Sequence, residues 1–416
     1  MLESHFIHSV LEKEMEFFYL YDNNNDDIIS DFASSIGNSA AYQNGNSNEV
    51  YSNNNDDTVL THGMLEQEFK KSCVHNTKFI DDHYIKYLKS KIHAMGELLN
   101  IKLMITIRYK YRQTFHKNLN KEFIFENITN NIIVDFTVMK NGITDTFRDE
   151  DIFFNNDNTI KNHINNKVDE IINLYKNFTG KNKAAENTDN YDLIIPAGLG
   201  GILAHEAIGH CLEADNFFDE ETYFTNKLDR KITSNKRIKV FDEPIGLSGE
   251  KILYSDDGTP AERVDMVENG CLAGIMTNAK YQKGLNIRDT GNGFRSRYSD
   301  FIIPRMRKTM IAAGNDKEED IINGVKKGIL VTEMDGGSVI PQLGKYVLQI
   351  KKGILIDHGE RVNLVNPFIF SGTVFDTLDR IEGIGNKVVQ INATCNKKGQ
   401  LKNVVYGSPM LCLKRS

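Results

Sequence analysis

The chain has 416 residues, more than one ordinary core needs and enough for two domains. Hydrophobic residues make up 40% and charged residues 26%, and the formal net charge of −7 argues against a nucleic-acid-binding face, which needs clustered cations. No apolar run approaches the ~20 residues of a membrane span, and "MLESHFIH" lacks the regions of a secretory signal. The five scattered cysteines form no CxxC pair and no disulfide framework, so the expected setting is a reducing cytoplasm.

In chain order, "FIHSVLEKEMEFFYLY" has apolar residues at helical spacing and predicts a helix. Residues 22–57 are rich in Asn, Asp and Ser and poor in large apolar residues, which predicts a disordered or loosely packed insertion. Residues 64–99 predict helix, broken near His75-Asn76. "IKLMITIRYKYRQTF" alternates as a strand, and "FIFENITNNIIVDFTVMKNGITDTFRD" predicts strands joined at Asn141-Gly142. Residues 158–178 predict a helix with Ile160, Ile164, Val168, Ile171 and Ile172 on one face. A polar stretch over 179–192 marks the boundary between an N-terminal α/β domain (1–185) and a second domain (190–416).

The second domain opens with a buried strand, "LIIPAG", then a glycine-rich turn and a helix carrying "HEAIGHCLEAD". Beyond residue 235 the text is mostly strand and turn, with hairpins expected about Asn269-Gly270, about Lys352-Gly353 and within "KVVQINATCNKKGQLKNVV". Helices are expected near 316–327 and 372–380. The predicted class is α+β, with a β-rich C-terminal domain.

His205, Glu206 and His210 are a candidate metal site. H-E-x-x-H places histidines four apart, whereas these are five apart. On a regular helix residues five apart diverge by about 140°, so both cannot face one ion. A π-type turn takes up one extra residue and realigns them, and Gly209 weakens the regular helix there. Glu206 would then be free to move protons. Two histidines need a third ligand, and the candidates are Cys211, Glu213, Cys271, His358, Cys395 and Cys412. Cys211 points about 100° away from its neighbour His210. Glu213 is within reach of His210 and suits accepting its second ring N–H. Cys271 and His358 fall near turns and read as surface residues.

"HEAIGHCLEAD" resembles the H-E-A-x-G-H-x-L-E-x-D signature of the TldD/PmbA family, also called modulators of DNA gyrase. Residues 256–276, 290–306, 335–339, 371–386 and 393–400 resemble that family's later blocks in the same order. The resemblance spans about 190–412 and weakens before it. It implies a zinc metallopeptidase of the TldD type, with zinc on His205, His210 and Cys395, Glu206 as the catalytic glutamate, and short or unfolded peptides as substrates. It also implies a dimer, either of two copies or with a catalytically silent paralogue. The alternative is a non-catalytic zinc-containing subunit or partner-binding protein of the same family. Cys211 stands where the family usually has a small residue. In "TGNGFRSRY", Gly291 and Gly293 allow close backbone approach, and Asn292, Arg295 and Tyr298 are expected to contact an extended peptide.

Overall fold

The structure, a computed structural model, describes residues 7–22, 25–33, 39–41, 82–93, 100–118, 121–140, 143–153 and 157–177. It also describes residues 190–415, apart from 220–221, 248, 286 and 298–299. The chain divides into two compact units, Met1–Asn177 and Phe178–Ser416. Among the described residues no helix is long and apolar enough to cross a membrane.

The first unit holds strands β1 (Ile7–Asp22), β2 (Asn25–Ala33) and β3 (Ser39–Ala41), helix α1 (Asp82–His93), and strands β4 (Asn100–Asn118), β5 (Lys121–Lys140) and β6 (Ile143–Phe153). Helix α2 (Asp157–Asn177) ends it. The sheet order is β2-β1-β4-β5-β6, β3 also pairs with β1, and every pairing is antiparallel. One expectation changes here. The stretch read as an N-terminal helix is β1, paired with β4 along its whole length. Within the 22–57 tract, Asp22 closes β1 and residues 25–33 and 39–41 form β2 and β3; its other residues lie outside the described residues, as do 64–81 and 94–99 of the expected helix. Lys140 pairs with Ile143, so β5 and β6 meet across the two-residue Asn141-Gly142 connection. Helix α2 buries Ile160, Ile164 and Val168 completely, four residues apart on one face. The Tyr84 hydroxyl of α1 ties to α2 through the Lys161 carbonyl and Asn165, each at 3.1 Å.

The second unit starts with β7 (Asp192–Ile195), a turn at Gly198, and helix α3 (Gly200–Leu203). Strands β8 (Val240–Glu243), β9 (Val264–Glu268) and β10 (Cys271–Leu272) follow, then helix α4 (Ala279–Leu285) and the short pair β11 (Gly293–Phe294) and β12 (Ile303–Pro304). Next come β13 (Lys308–Ile311), helix α5 (Glu318–Asn323), and strands β14 (Lys327–Ile340), β15 (Lys345–Asp357), β16 (Glu360–Val365) and β17 (Phe368–Thr373). Helix α6 (Val374–Arg380) and strands β18 (Ile381–Ile384), β19 (Val389–Lys397), β20 (Gln400–Ser408) and β21 (Leu411–Leu413) complete it.

These strands make two large sheets. One has the order β10-β9-β8-β13-β20-β19; the other runs β16-β15-β14-β7-β21-β18, with β17 also on β15. Helix α3 packs against β20, β13 and β14, and places a helix N-terminal to the signature between the sheets' buried faces. The close approach needs glycine: a Cβ at Gly201 would stand 2.5 Å from the Gly407 nitrogen.

The hairpin about Lys398-Gly399 has both turn residues at positive φ, 51° and 77°, the geometry of a two-residue turn that matches strand twist. The expected turn at Lys352-Gly353 is not a turn. β15 runs straight through it, and Gly353 pairs with Val331 and Val365 on its two sides. The chain reverses further on, after β15 ends at Asp357, at His358-Gly359, where φ is 48° and 83°.

Candidate metal centre

The helical stretch does not continue as a regular α-helix past Leu203. Ala204–Gly209 form a π-helix, and the His210 N–H donates to the His205 carbonyl, five residues back. A 3₁₀ turn, His210–Leu212, follows. The extra residue per turn brings the two histidines together: their ring centroids are 4.8 Å apart, nearly perpendicular at 82°. Gly209 permits this by size. A Cβ there would collide with the Met306 sulfur.

Cys395, on edge strand β19, meets them. Its Sγ is 3.3 Å from His210 Nε2, and the ligand atoms of His205, His210 and Cys395 all lie within 4.8 Å of one another. All three are buried. Among the described residues this is the group of histidine, cysteine and acidic side chains close enough to share a metal ion. Bonds of about 2.0–2.3 Å in a tetrahedron separate nitrogen and sulfur ligands by roughly 3.5 Å, so the residues fit a metal. The Nδ1 of His205 is buried without a hydrogen-bond partner, which marks a polar cluster incomplete by itself. Cys211, Cys271, Cys412 and His358 stand outside the group. Cys211 is packed in the core, where burial pushes its thiol up to about 12.

The electrostatics prepare a thiolate. Burial alone would push the Cys395 thiol up, but hydrogen bonds from His205 and His210, and their charge, outweigh it and hold it at about 5. Burial disfavours a charged His210, yet the Glu213 carboxylate and the Cys395 contact raise its pKa to about 10. Glu213 Oε2 sits 2.8 Å from His210 Nδ1, which leaves Nε2 facing Cys395. Burial would raise the Glu213 carboxyl too, but Lys397, His210 and Arg305 hold it far below the usual carboxylate range. Glu206 lies beside the ligands with its Cγ against Gly337 of β14. Burial raises its carboxyl above the ordinary value, against the opposing pull of His205 and His210.

Four residues around the cluster are not singled out by the sequence reading. Lys397 Nζ reaches Glu213 at 2.9 Å and Asp215 at 2.5 Å. Arg305 donates to the Cys395 carbonyl, and the Met306 N–H donates to Glu213. The acidic end of "HEAIGHCLEAD" and the lysines of "CNKK" carry the complementary charges that signal this contact. Of the residues expected to touch a peptide, Asn292 and Arg295 are among the described residues. Asn292 is 1% exposed; its Nδ2 donates to Asp242 and the Arg305 carbonyl, and its Oδ1 accepts from Thr290. Its amide is therefore engaged in the interior. Arg295 is buried, its backbone N–H donating to Asp256, and Tyr298 lies outside the described residues.

A family profile described as the PmbA/TldA metallopeptidase C-terminal domain matches residues 188–415. The chain belongs to the PmbA/TldD family. A metalloprotease TldD homolog of Buchnera aphidicola subsp. Acyrthosiphon pisum is 30% identical over 226 residues, covering 54% of this chain and 47% of the relative. A zinc metalloprotease TldD homolog of Saccharolobus solfataricus is 29% identical over 247 residues, covering 59% of this chain and 54% of the relative. The chain thus spans about half the length of these TldD relatives. The crystal structure of TldE from Thermococcus kodakarensis shares the fold, with a TM-score of 0.68 at 15% identity over 98% of this chain and 95% of that one.

Proposed function

We propose that this chain is a zinc-dependent metallopeptidase acting on short or unfolded peptides, with His205, His210 and Cys395 as zinc ligands and Glu206 as the catalytic base. The observation that carries the reading is the buried cluster of two imidazoles and a thiolate within 4.8 Å. That donor set suits zinc, and three protein ligands are the number found in catalytic rather than structural sites. The name of the Saccharolobus relative supports the same ion. When bound, zinc would supply a Lewis acid for the peptide carbonyl and make water a better nucleophile at neutral pH. Glu206 takes up the proton at a carboxylate oxygen and delivers it to the departing amine, and its raised proton affinity suits both steps. Glu213 holds His210 in the tautomer that offers Nε2 to the metal. The family resemblance extends the proposal to a dimer, of two copies or with a silent paralogue, working in the cytoplasm.

Metal analysis paired with cleavage of an unstructured peptide tests this. About one zinc per chain is expected. Glu206→Gln should keep the metal and lose at least about a hundredfold in cleavage; retained cleavage removes Glu206 from the mechanism. Cys395→Ala should lose zinc, and an unchanged zinc content takes Cys395 out of the ligand set. A zinc-loaded chain inert to every unstructured peptide would instead favour a non-catalytic subunit.

A further inference from the structure

The proposed ligands come from distant parts of the chain, with His210 and Cys395 separated by 185 positions. Between them runs a tripeptide, Pro304–Met306, that touches both sides. On the helix side, the Met306 N–H donates to Glu213 Oε1 at 3.1 Å, and its side chain fills the space beside Gly209. On the strand side, the Pro304 carbonyl accepts from Lys397 at 3.3 Å. Arg305, only 1% exposed, spans the hairpin itself: Nη2 donates to the Cys395 carbonyl and Nη1 to the Gln400 carbonyl, both at 2.8 Å. Those carbonyls belong to the two different strands, β19 and β20. Arg305 Nε also faces Glu213 Oε1 at 3.9 Å.

We infer that Arg305 is a positioning residue for metal binding: its guanidinium fixes the backbone of Cys395 against the helix that carries His205 and His210. The inference rests on those three residues being the metal ligands. Its physical basis is the planar fork. Two N–H groups in fixed geometry hold two carbonyls at once, which a lysine ammonium on a flexible stem does not reproduce. Among the described residues β19 is an edge strand, with β20 as its one strand neighbour. Without the fork, Cys395 would have to be ordered at the moment the metal arrives, and that ordering cost would appear as lost affinity. Arg307 provides the contrast. It too is buried, and among the described residues its guanidinium bonds Asp242 at 2.8 Å and the carbonyls of Gly291 and Glu262, none of them on β19 or β20; only its backbone carbonyl meets the hairpin, at the Val405 N–H.

The test uses the full chain stripped of metal. Zinc affinity is measured against a competing chelator, and the labelling rate of Cys395 by a thiol reagent is read on its own peptide by mass spectrometry. Arg305→Lys should weaken zinc binding by about 10–100-fold and speed Cys395 labelling in the metal-free protein. Arg307→Lys should leave both near the parent values. Should Arg305→Lys fail to fold, Lys397→Gln loosens the same hairpin from Glu213 and should shift both readings in the same direction. Parent-like affinity and labelling in the folded variants overturn the inference. So does an equal loss in Arg307→Lys, which would make the effect a general loosening of the core. A parent chain that binds no zinc sinks the metallopeptidase reading and this inference together; a zinc-binding chain indifferent to Arg305 sinks this inference alone.

Discussion

Gly209 is confined to a bare Cα by its neighbour, not by its own backbone, since the Met306 sulfur occupies the space a side chain would need. Gly209→Ala should therefore cost about 1–3 kcal/mol through overpacking. Chemical denaturation measures it, and the cost should shrink in a Met306→Ala background; an equal cost in both backgrounds removes the steric account. Glu213 is fully buried against Lys397, Arg305 and His210. Glu213→Gln leaves those cations short of a partner and should destabilise the unit by about 3 kcal/mol, read as a lower denaturant midpoint. The sequence shows the chemistry of His205, Glu206 and His210 because the residue types are unusual together. It also puts Glu213 within reach of His210, and the two meet at 2.8 Å. Arg305 and Lys397 are not legible in this way. A cation in a sequence reads as solvated unless its partner is known, and Lys397 lies 182 positions from Asp215.

Asp379 of α6 anchors the loop at Thr233-Ser234, accepting from Thr233 Oγ1, Ser234 N and Ser234 Oγ, each at 2.7 Å. Partial burial opposes these bonds, but together they hold its carboxyl below the ordinary aspartate value. A depressed folded pKa stabilises fully above the unfolded value of about 3.9 and loses that contribution as pH falls through the folded value. Asp379→Asn should thus reduce the drop in urea midpoint between neutral pH and pH near 3, and an undiminished drop would falsify the assignment. Elements were legible where a local signal is unambiguous. The hairpin at Lys398-Gly399 and the apolar face of α2 are examples. "FIHSVLEKEMEFFYLY" carries a run of apolar residues that serves either periodicity, and its pairing with β4 decides for strand. Gly353 misleads for a related reason: a Lys-Gly pair suits a turn, but here glycine sits between two neighbouring strands, with no room for a Cβ against Ile329.

All the proposed ligands, Glu206, and the Arg305–Lys397–Glu213 network lie in the unit Phe178–Ser416. Residues 178–416 expressed alone should therefore fold cooperatively and bind metal with the affinity of the full chain. Calorimetry and metal titration check this, and a fragment without a cooperative transition would show that the unit depends on the preceding residues. The joining of Cys395 to the helix was legible only through family resemblance, because no local periodicity links residues so far apart. Sheet order was not legible at all. Strand β21 lies between β7 and β18 in the seven-stranded sheet, with Leu411 and Leu413 fully buried. That placement has a consequence for biosynthesis. A nascent chain emerges from the ribosome with its ligands in order, yet it must wait for residues 411–413 before the sheet has its interior strand. Truncation after Pro409 would remove an interior strand rather than a loose end, taking away the strand that joins β18 to β7.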